Sequence, residues 1–288
     1  MQYEAIRVRR LSPVIGARVE GIDLARPLGN QQFQEIHDAL MAHLVLFFPD
    51  QRLTTDQHVA FSRRFGKPMI HPAAKQEIEG HPEIRVVRAD ENSKIVAGDA
   101  WHSDMSCEAN PPMGSALYVT EVPPDSGGDT LFANMYAAFE ALSPPVRDML
   151  RGLTAIHSGA HVYSNAFYDK DGEKRIPQAE HPVVRVHPVT GRECLFVNAG
   201  FTTRIVGLTK LESDSLLAML LRHCEAPAFQ CRLQWGEGGL ALWDNRCAQH
   251  HAIFDYWPHR RYGHRVTIGG DAPFGPRRLS PARSRGAR

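Results

Sequence analysis

The stretch Ala100–Gly114, "AWHSDMSCEANPPMG", sets His102 and Asp104 two residues apart directly behind a tryptophan. On an extended backbone, residues i and i+2 point to the same side, so one imidazole and one carboxylate can grip a single cation. Two ligands do not make a site. The best source of a third lies far downstream, in "LALWDNRCAQHHAIFDY", where His250 and His251 follow a strand-like run. Two histidines and one carboxylate on one face are the donor set that holds Fe(II) and leaves three positions open. Those positions can take a bidentate co-substrate and then dioxygen.

A keto acid such as 2-oxoglutarate chelates iron at one end and presents a second carboxylate at the other. That carboxylate needs a cation, and "HRRYGHRVTI" supplies Arg260, Arg261 and Arg265 on or just before a strand. Arginine suits the task because its planar fork matches a carboxylate bidentately and stays charged. Thr130, in "GGDTLF", offers a hydroxyl beside it. Adjacent residues on extended backbone face opposite ways, so only one of Arg260 and Arg261, and only one of His250 and His251, should turn inward. Asp244 and Asn245 are read as satisfying loop backbone groups near the site, and Trp101 as a packing wedge.

These groups must be positioned by a β core buttressed by a few helices. Apolar residues at Phe33, Ile36 and Leu40 have helical spacing. "LVLFF" follows as a buried strand ended by Pro49. Thr54 with Gln57, and Thr209 with Glu212, have the spacing of capping boxes, and the second begins a helix whose stripe is Leu216, Leu217, Leu220, Leu221 and Cys224. Ser143 and Pro144 open a further helix that ends before Gly152. "GSALYVT", "LTAIHSG" and "HPVVRVHP" read as strands. "VVRVHPVTGRECLFVN" reads as a hairpin turning at Thr190-Gly191, and "FQCRLQWGEGGLALW" as a second turning near Gly236 to Gly239.

The 288 residues fit one large β domain, taken as 1–274, with a basic, Pro/Ser/Gly-spaced tail over 275–288 that reads as disordered. Basic and acidic residues balance, 33 against 32, which gives no field for nucleic acid or an anionic membrane surface. No apolar run is long enough for a membrane span or a signal peptide. Five cysteines, odd in number and without a C-x-x-C pair, read as reduced core fillers of a cytoplasmic protein.

Together the motifs resemble the TauD/TfdA family of Fe(II)/2-oxoglutarate dioxygenases. W-H-x-D, P-x-x-G-G-D-T, W-D-N-R-x-x-x-H and R-x-x-x-R occur in order, and the resemblance runs from Gly16 to Phe274. It implies a double-stranded β-helix (jelly-roll) core with helices outside. It implies Fe(II) on His102, Asp104 and His250, with His251 turned away, and 2-oxoglutarate held by Arg261 and Thr130. Arg265 then matches the position that binds the substrate's acidic group, and His71 and Phe201 match substrate-pocket positions. The implied reaction hydroxylates a small anionic organic substrate with release of succinate and CO2, in a homodimer or homotetramer.

Ala74 stands where the taurine pattern has a tyrosine, the pocket asparagine of that pattern is lost near Gly98, and the covering segment His161–Pro182 is unlike it. A sulfonate or sulfate ester is therefore expected over taurine itself. An aryloxyalkanoate, cleaved at its ether, is the rival, given the aromatic Tyr163, Phe167 and Tyr168. A non-catalytic jelly-roll metal-binding protein is a third reading, against which the 2-oxoglutarate grip argues.

Overall fold

The computed structural model describes residues 3–70, 78–96, 98–163 and 176–276. Its largest sheet runs in the order Arg7–Arg10, Ala17–Glu20, Val45–Phe48, Gly239–Asp244, Gly114–Glu121, Arg261–Ile268 and Pro68–Met69, and Ile84–Ala89 also pairs with Arg261–Ile268. A three-stranded sheet, Gln230–Leu233, Thr130–Asn134 and Ala248–Ala252, provides the second wall. Smaller sheets join Thr202–Ile205, Thr154–Ser158 and Gln178–Pro182, and Val184–Val186 with Glu193–Leu195.

Side chains alternate across each strand, and the centre of the large sheet is buried on both faces. Val45, Phe47, Leu117, Val119, Ala241 and Trp243 enter a core shared with Phe132, Leu233 and Ala248 of the smaller sheet. Their neighbours Leu46, Phe48, Ala116, Tyr118, Leu240 and Leu242 enter a second core with Ile36, Leu40 and Phe61. Those three residues come from the helices Asn30–His43 and Thr55–Arg63. The architecture is thus mostly β: a jelly roll, sheet against sheet, with helices packed outside.

Local chemistry sets the helix starts as expected. Thr54 and Gln57 cap Thr55–Arg63 reciprocally, and Thr209 and Glu212 do the same for Lys210–Cys224. The latter buries Leu217, Leu220 and Cys224, with Leu216 and Leu221 half-buried at the flanks of the stripe. Ser143 takes the cap position of Pro144–Leu150, but its hydroxyl makes no capping bond. The hairpin at Thr190-Gly191 forms between Val184–Val186 and Glu193–Leu195.

The second expected hairpin does not form. Gln230–Leu233 pairs with Thr130–Asn134, whereas Gly239–Asp244 pairs with Val45–Phe48 and Gly114–Glu121 in the other sheet. The glycine-rich link therefore carries the chain between walls. Gly238 has φ +74°, and a Cβ there would sit 2.5 Å from the Gln51 carbonyl oxygen, so the crossing needs glycine. All five cysteines are free and buried. Among the described residues no helix is long and apolar enough to cross a membrane. The expected tail falls outside the described residues except for Gly275 and Pro276.

Candidate active site

His250 lies on the strand Ala248–Ala252, facing Phe132 across the smaller sheet. The free edge of that strand receives His102: the amide of each residue donates to the other's carbonyl, at 3.0 and 2.8 Å. This isolated antiparallel bridge is what brings the two histidines together from distant parts of the chain. The H-x-D segment is not a strand, contrary to the sequence reading. His102 is a lone bridge residue, Asp104 begins a turn, and Met105 beyond it has φ +46°. The carboxylate is turned toward the imidazoles by this bend rather than by strand alternation.

One ligand atom from each of His102, Asp104 and His250 lies within 4.8 Å of the other two, and all three atoms are buried. Asp104 Oδ2 accepts from the Ser115 hydroxyl at 2.8 Å and the Asn245 side-chain amide at 3.2 Å. Asn245 Oδ1 in turn accepts from the Asp104 backbone amide and the Trp243 indole. Oδ1 is thereby left to face His102 Nε2 at 3.7 Å and His250 Nε2 at 3.9 Å. His102 Nδ1 lies 2.8 Å from the Ala100 carbonyl, an acceptor only, so Nδ1 carries a proton and Nε2 is the nitrogen turned to the carboxylate. Burial, then the neighbouring His102, pulls the His250 pKa well below its ordinary value and keeps that ring neutral. Neutral imidazoles and an anionic carboxylate are the donors a ferrous ion needs, so the residues fit the metal.

Arg265 makes an ion pair within the cluster itself. Its Nη1 donates to Asp104 Oδ1 at 2.9 Å, the same oxygen that faces the two imidazoles. Burial alone would raise the Asp104 pKa, but the charge of Arg265, aided by His250 and His102, holds it well below the usual carboxylate range. The Arg265 Nε is buried without a hydrogen-bond partner.

The three donors line a cavity of about 520 Å³ that also takes in Thr130, Arg261, Trp235, Tyr256, Phe201 and Arg265. Arg261 is buried, and its guanidinium lies over the Trp235 ring, 5.3 Å from the centroid. Its Nε has no hydrogen-bond partner, and burial pulls its pKa below the ordinary value against the opposing Tyr256 and Asp129. A buried guanidinium in this state invites an anion. Gly128 makes room for it: φ is +79°, and a Cβ would sit 2.8 Å from Arg261 Cδ. Thr130 is buried beside them, its hydroxyl accepting from the Trp235 indole at 3.0 Å. Arg260, by contrast, points outward to Glu121 at 3.1 Å, and His251 turns to Asp99 at 3.2 Å. One residue of each adjacent pair thus faces inward.

Phe201 packs with Cys107 and Tyr163 into a small apolar cluster on the cavity wall. Its ring centroid is 6.4 Å from that of His102. His71, Ala74, Phe167 and Tyr168 lie outside the described residues. Asp244 accepts from its own loop's Arg246 amide and also from the Arg246 guanidinium and His187. Trp101 is buried edge-on to His251. Sequence reading missed Ser115, Trp235 and Arg85. No motif marks them: strand pairing brings Arg85 to the cavity and Ser115 against Asp104, and the link between the two walls brings Trp235.

A jelly roll whose inner cavity carries a two-histidine, one-carboxylate cluster at one place and a buried arginine at another is the build of an oxygenase that uses a keto acid. Residues 7–267 match the family described as "Taurine catabolism dioxygenase TauD, TfdA family". The chain belongs to this family of Fe(II)- and 2-oxoglutarate-dependent dioxygenases. It is 34% identical over 272 residues to an alpha-ketoglutarate-dependent sulfate ester dioxygenase of Pseudomonas putida, covering 91% of this chain and 88% of that one. It is 33% identical over 258 residues to an alpha-ketoglutarate-dependent 2,4-dichlorophenoxyacetate dioxygenase of Cupriavidus pinatubonensis, covering 83% and 89%. The crystal structure of a taurine dioxygenase from Burkholderia xenovorans superposes with a TM-score of 0.83 at 37% identity, covering 95% of this chain and 92% of that one.

Proposed function

We propose that this enzyme hydroxylates a small anionic organic substrate, a sulfate ester or a sulfonate, while converting 2-oxoglutarate to succinate and CO2. His102, Asp104 and His250 would hold Fe(II), and Arg261 with Thr130 would hold the distal carboxylate of 2-oxoglutarate. Bound there, the iron supplies oxygen activation, so that one oxygen atom of O2 ends in succinate and the other on a substrate carbon. When that carbon bears the sulfate or sulfonate group, the hydroxylated product falls apart to an aldehyde or ketone and a released sulfur oxyanion.

The chain's own part is positioning and exclusion of water. Ser115 and Asn245 fix Asp104 so that one oxygen is presented, and the Ala100 carbonyl sets the His102 tautomer. Arg265 would meet the substrate's anionic group, next to the apolar wall of Phe201 and Tyr163, which pack on Cys107. His71, outside the described residues, belongs to the same pocket in this reading. So do cytoplasmic location, in keeping with five free thiols, and assembly into dimers or tetramers. The observation that carries the proposal is the buried, anion-seeking Arg261 in the same cavity as the convergent His102, Asp104 and His250.

The aromatic wall also supports a second reading, an aryloxyalkanoate bearing a carboxylate. Succinate formation with Fe(II), 2-oxoglutarate and a panel of alkyl sulfates, sulfonates and aryloxyacetates decides between them. Turnover confined to the aryloxyacetates refutes the sulfur-oxyanion assignment, and no succinate with any compound refutes both.

A further inference from the structure

Arg265 does not stand alone on its wall of the cavity. On the antiparallel pair Ile84–Ala89 and Arg261–Ile268, Arg265 and Arg85 are direct partners. Directly opposed residues of such a pair project from the same face, with Cβ atoms about 5 Å apart, and like charges so placed repel each other. Both side chains line the cavity that holds His102, Asp104 and His250. Asp104 offsets the charge of Arg265 through one N–H group, yet Arg265 keeps a buried Nε with no partner. Tyr163 lines the same space. Burial keeps its hydroxyl protonated, and the charges of Arg265 and Arg85 both reach it.

We propose that Arg85 is the second cation of the substrate-anion subsite, and that Arg85, Arg265 and the Tyr163 hydroxyl together select a tetrahedral, three-oxygen anion over a planar carboxylate. This inference rests on the functional reading above and sharpens its substrate class. Two guanidinium forks on neighbouring strands approach an anion from different directions. A sulfate or sulfonate group offers three terminal oxygens that can receive N–H donors from both forks and an O–H from Tyr163. A carboxylate offers two oxygens whose lone pairs lie in one plane, so two forks and a hydroxyl arriving from different directions cannot all meet it in that plane. Arg85 would act by touching substrate and takes no part in the metal or 2-oxoglutarate contacts.

The test uses the full chain loaded anaerobically with Fe(II) and 2-oxoglutarate, titrated calorimetrically with hexyl sulfate, hexane-1-sulfonate and hexanoate. These probes share an apolar tail and differ in the anion. Wild-type protein is expected to bind the two sulfur oxyanions at least ten-fold more tightly than hexanoate. In R85Q, affinity for the sulfur oxyanions should fall ten-fold or more and that for hexanoate less than three-fold, so the preference collapses; R85K should restore part of it. Thermal melting confirms that each variant keeps its fold, and R85K stands as the gentler variant should R85Q not fold. Wild-type selectivity that survives in R85Q, or in R85K where R85Q fails to fold, overturns this inference alone. Wild-type protein that binds none of the three overturns both the inference and the substrate reading beneath it.

Discussion

The contact between Arg265 and Asp104 makes a prediction that needs no substrate. Both side chains are nearly buried, at 12% and 4% exposure, and they meet at 2.9 Å. Removing one partner of a buried ion pair costs about 3–5 kcal/mol, because the other charge is left without compensation. Asp104 would still accept from Ser115 and Asn245, which places Arg265→Gln at the lower end, about 3 kcal/mol. For a chain of this size that is a fall of about 6 °C in the melting temperature of metal-free protein. The sign reverses when metal is added. In wild-type protein a cation arriving at Asp104 Oδ1 meets the guanidinium already there, which the variant lacks. The variant should therefore bind Mn(II) or Fe(II) about ten-fold more tightly, worth about 1.4 kcal/mol, and gain more melting temperature on saturation. Scanning calorimetry on EDTA-treated and metal-loaded protein, with anaerobic titration of the metal, reads both effects. A metal-free variant that melts within a degree of wild type, or metal affinity that does not rise, refutes the argument.

The two neighbouring arginines should behave oppositely when each is changed to alanine. Losing buried Arg261 should raise the 2-oxoglutarate concentration needed for half-maximal succinate formation at least thirty-fold, the low end of about 2–5 kcal/mol for a desolvated charge pair. Losing outward-facing Arg260 should change it less than two-fold, and the reverse pattern would move the carboxylate grip to Arg260. Acid should destabilise the fold through His157, whose pKa burial and the adjacent His181 push down to about 3. It stays neutral in the folded chain while the unfolded chain takes up its proton near pH 6.5, so its contribution is complete above that pH and erodes as pH falls toward 3. At about pH 4.5 the loss approaches 3 kcal/mol, and His157→Gln should flatten the decline of urea midpoints between neutral pH and that point; an unchanged slope would rule it out.

Some of this could be read before any fold was known because the physics involved is local or chemically restrictive. A capping box needs two residue types three positions apart, so Thr54 with Gln57 and Thr209 with Glu212 announced their helices. A ferrous site needs particular donors, which narrowed 15 histidines and 32 acidic residues to His102, Asp104 and one of His250 and His251, and the family resemblance favoured His250. The geometry uniting them was not local. Strand alternation was the wrong reason for the H-x-D pair, since a turn with Met105 at positive φ aims the carboxylate. Ser115, Trp235 and Arg85 carry no motif: strand pairings far apart in sequence bring Arg85 to the cavity and Ser115 to Asp104, and a link between the walls brings Trp235.

The misread hairpin has the same cause. Two β-rich runs joined by glycines satisfy every local condition for a two-stranded turn. Whether they pair depends on which partners compete for their edges. Thr130–Asn134 claims Gln230–Leu233, while Val45–Phe48 and Gly114–Glu121 claim Gly239–Asp244 on both sides. A strand with two committed neighbours has no edge left for a third. The glycines that seemed to mark a tight turn instead carry the chain from one wall of the jelly roll to the other. That crossing puts Trp235 in the cavity, where it supports both Thr130 and Arg261.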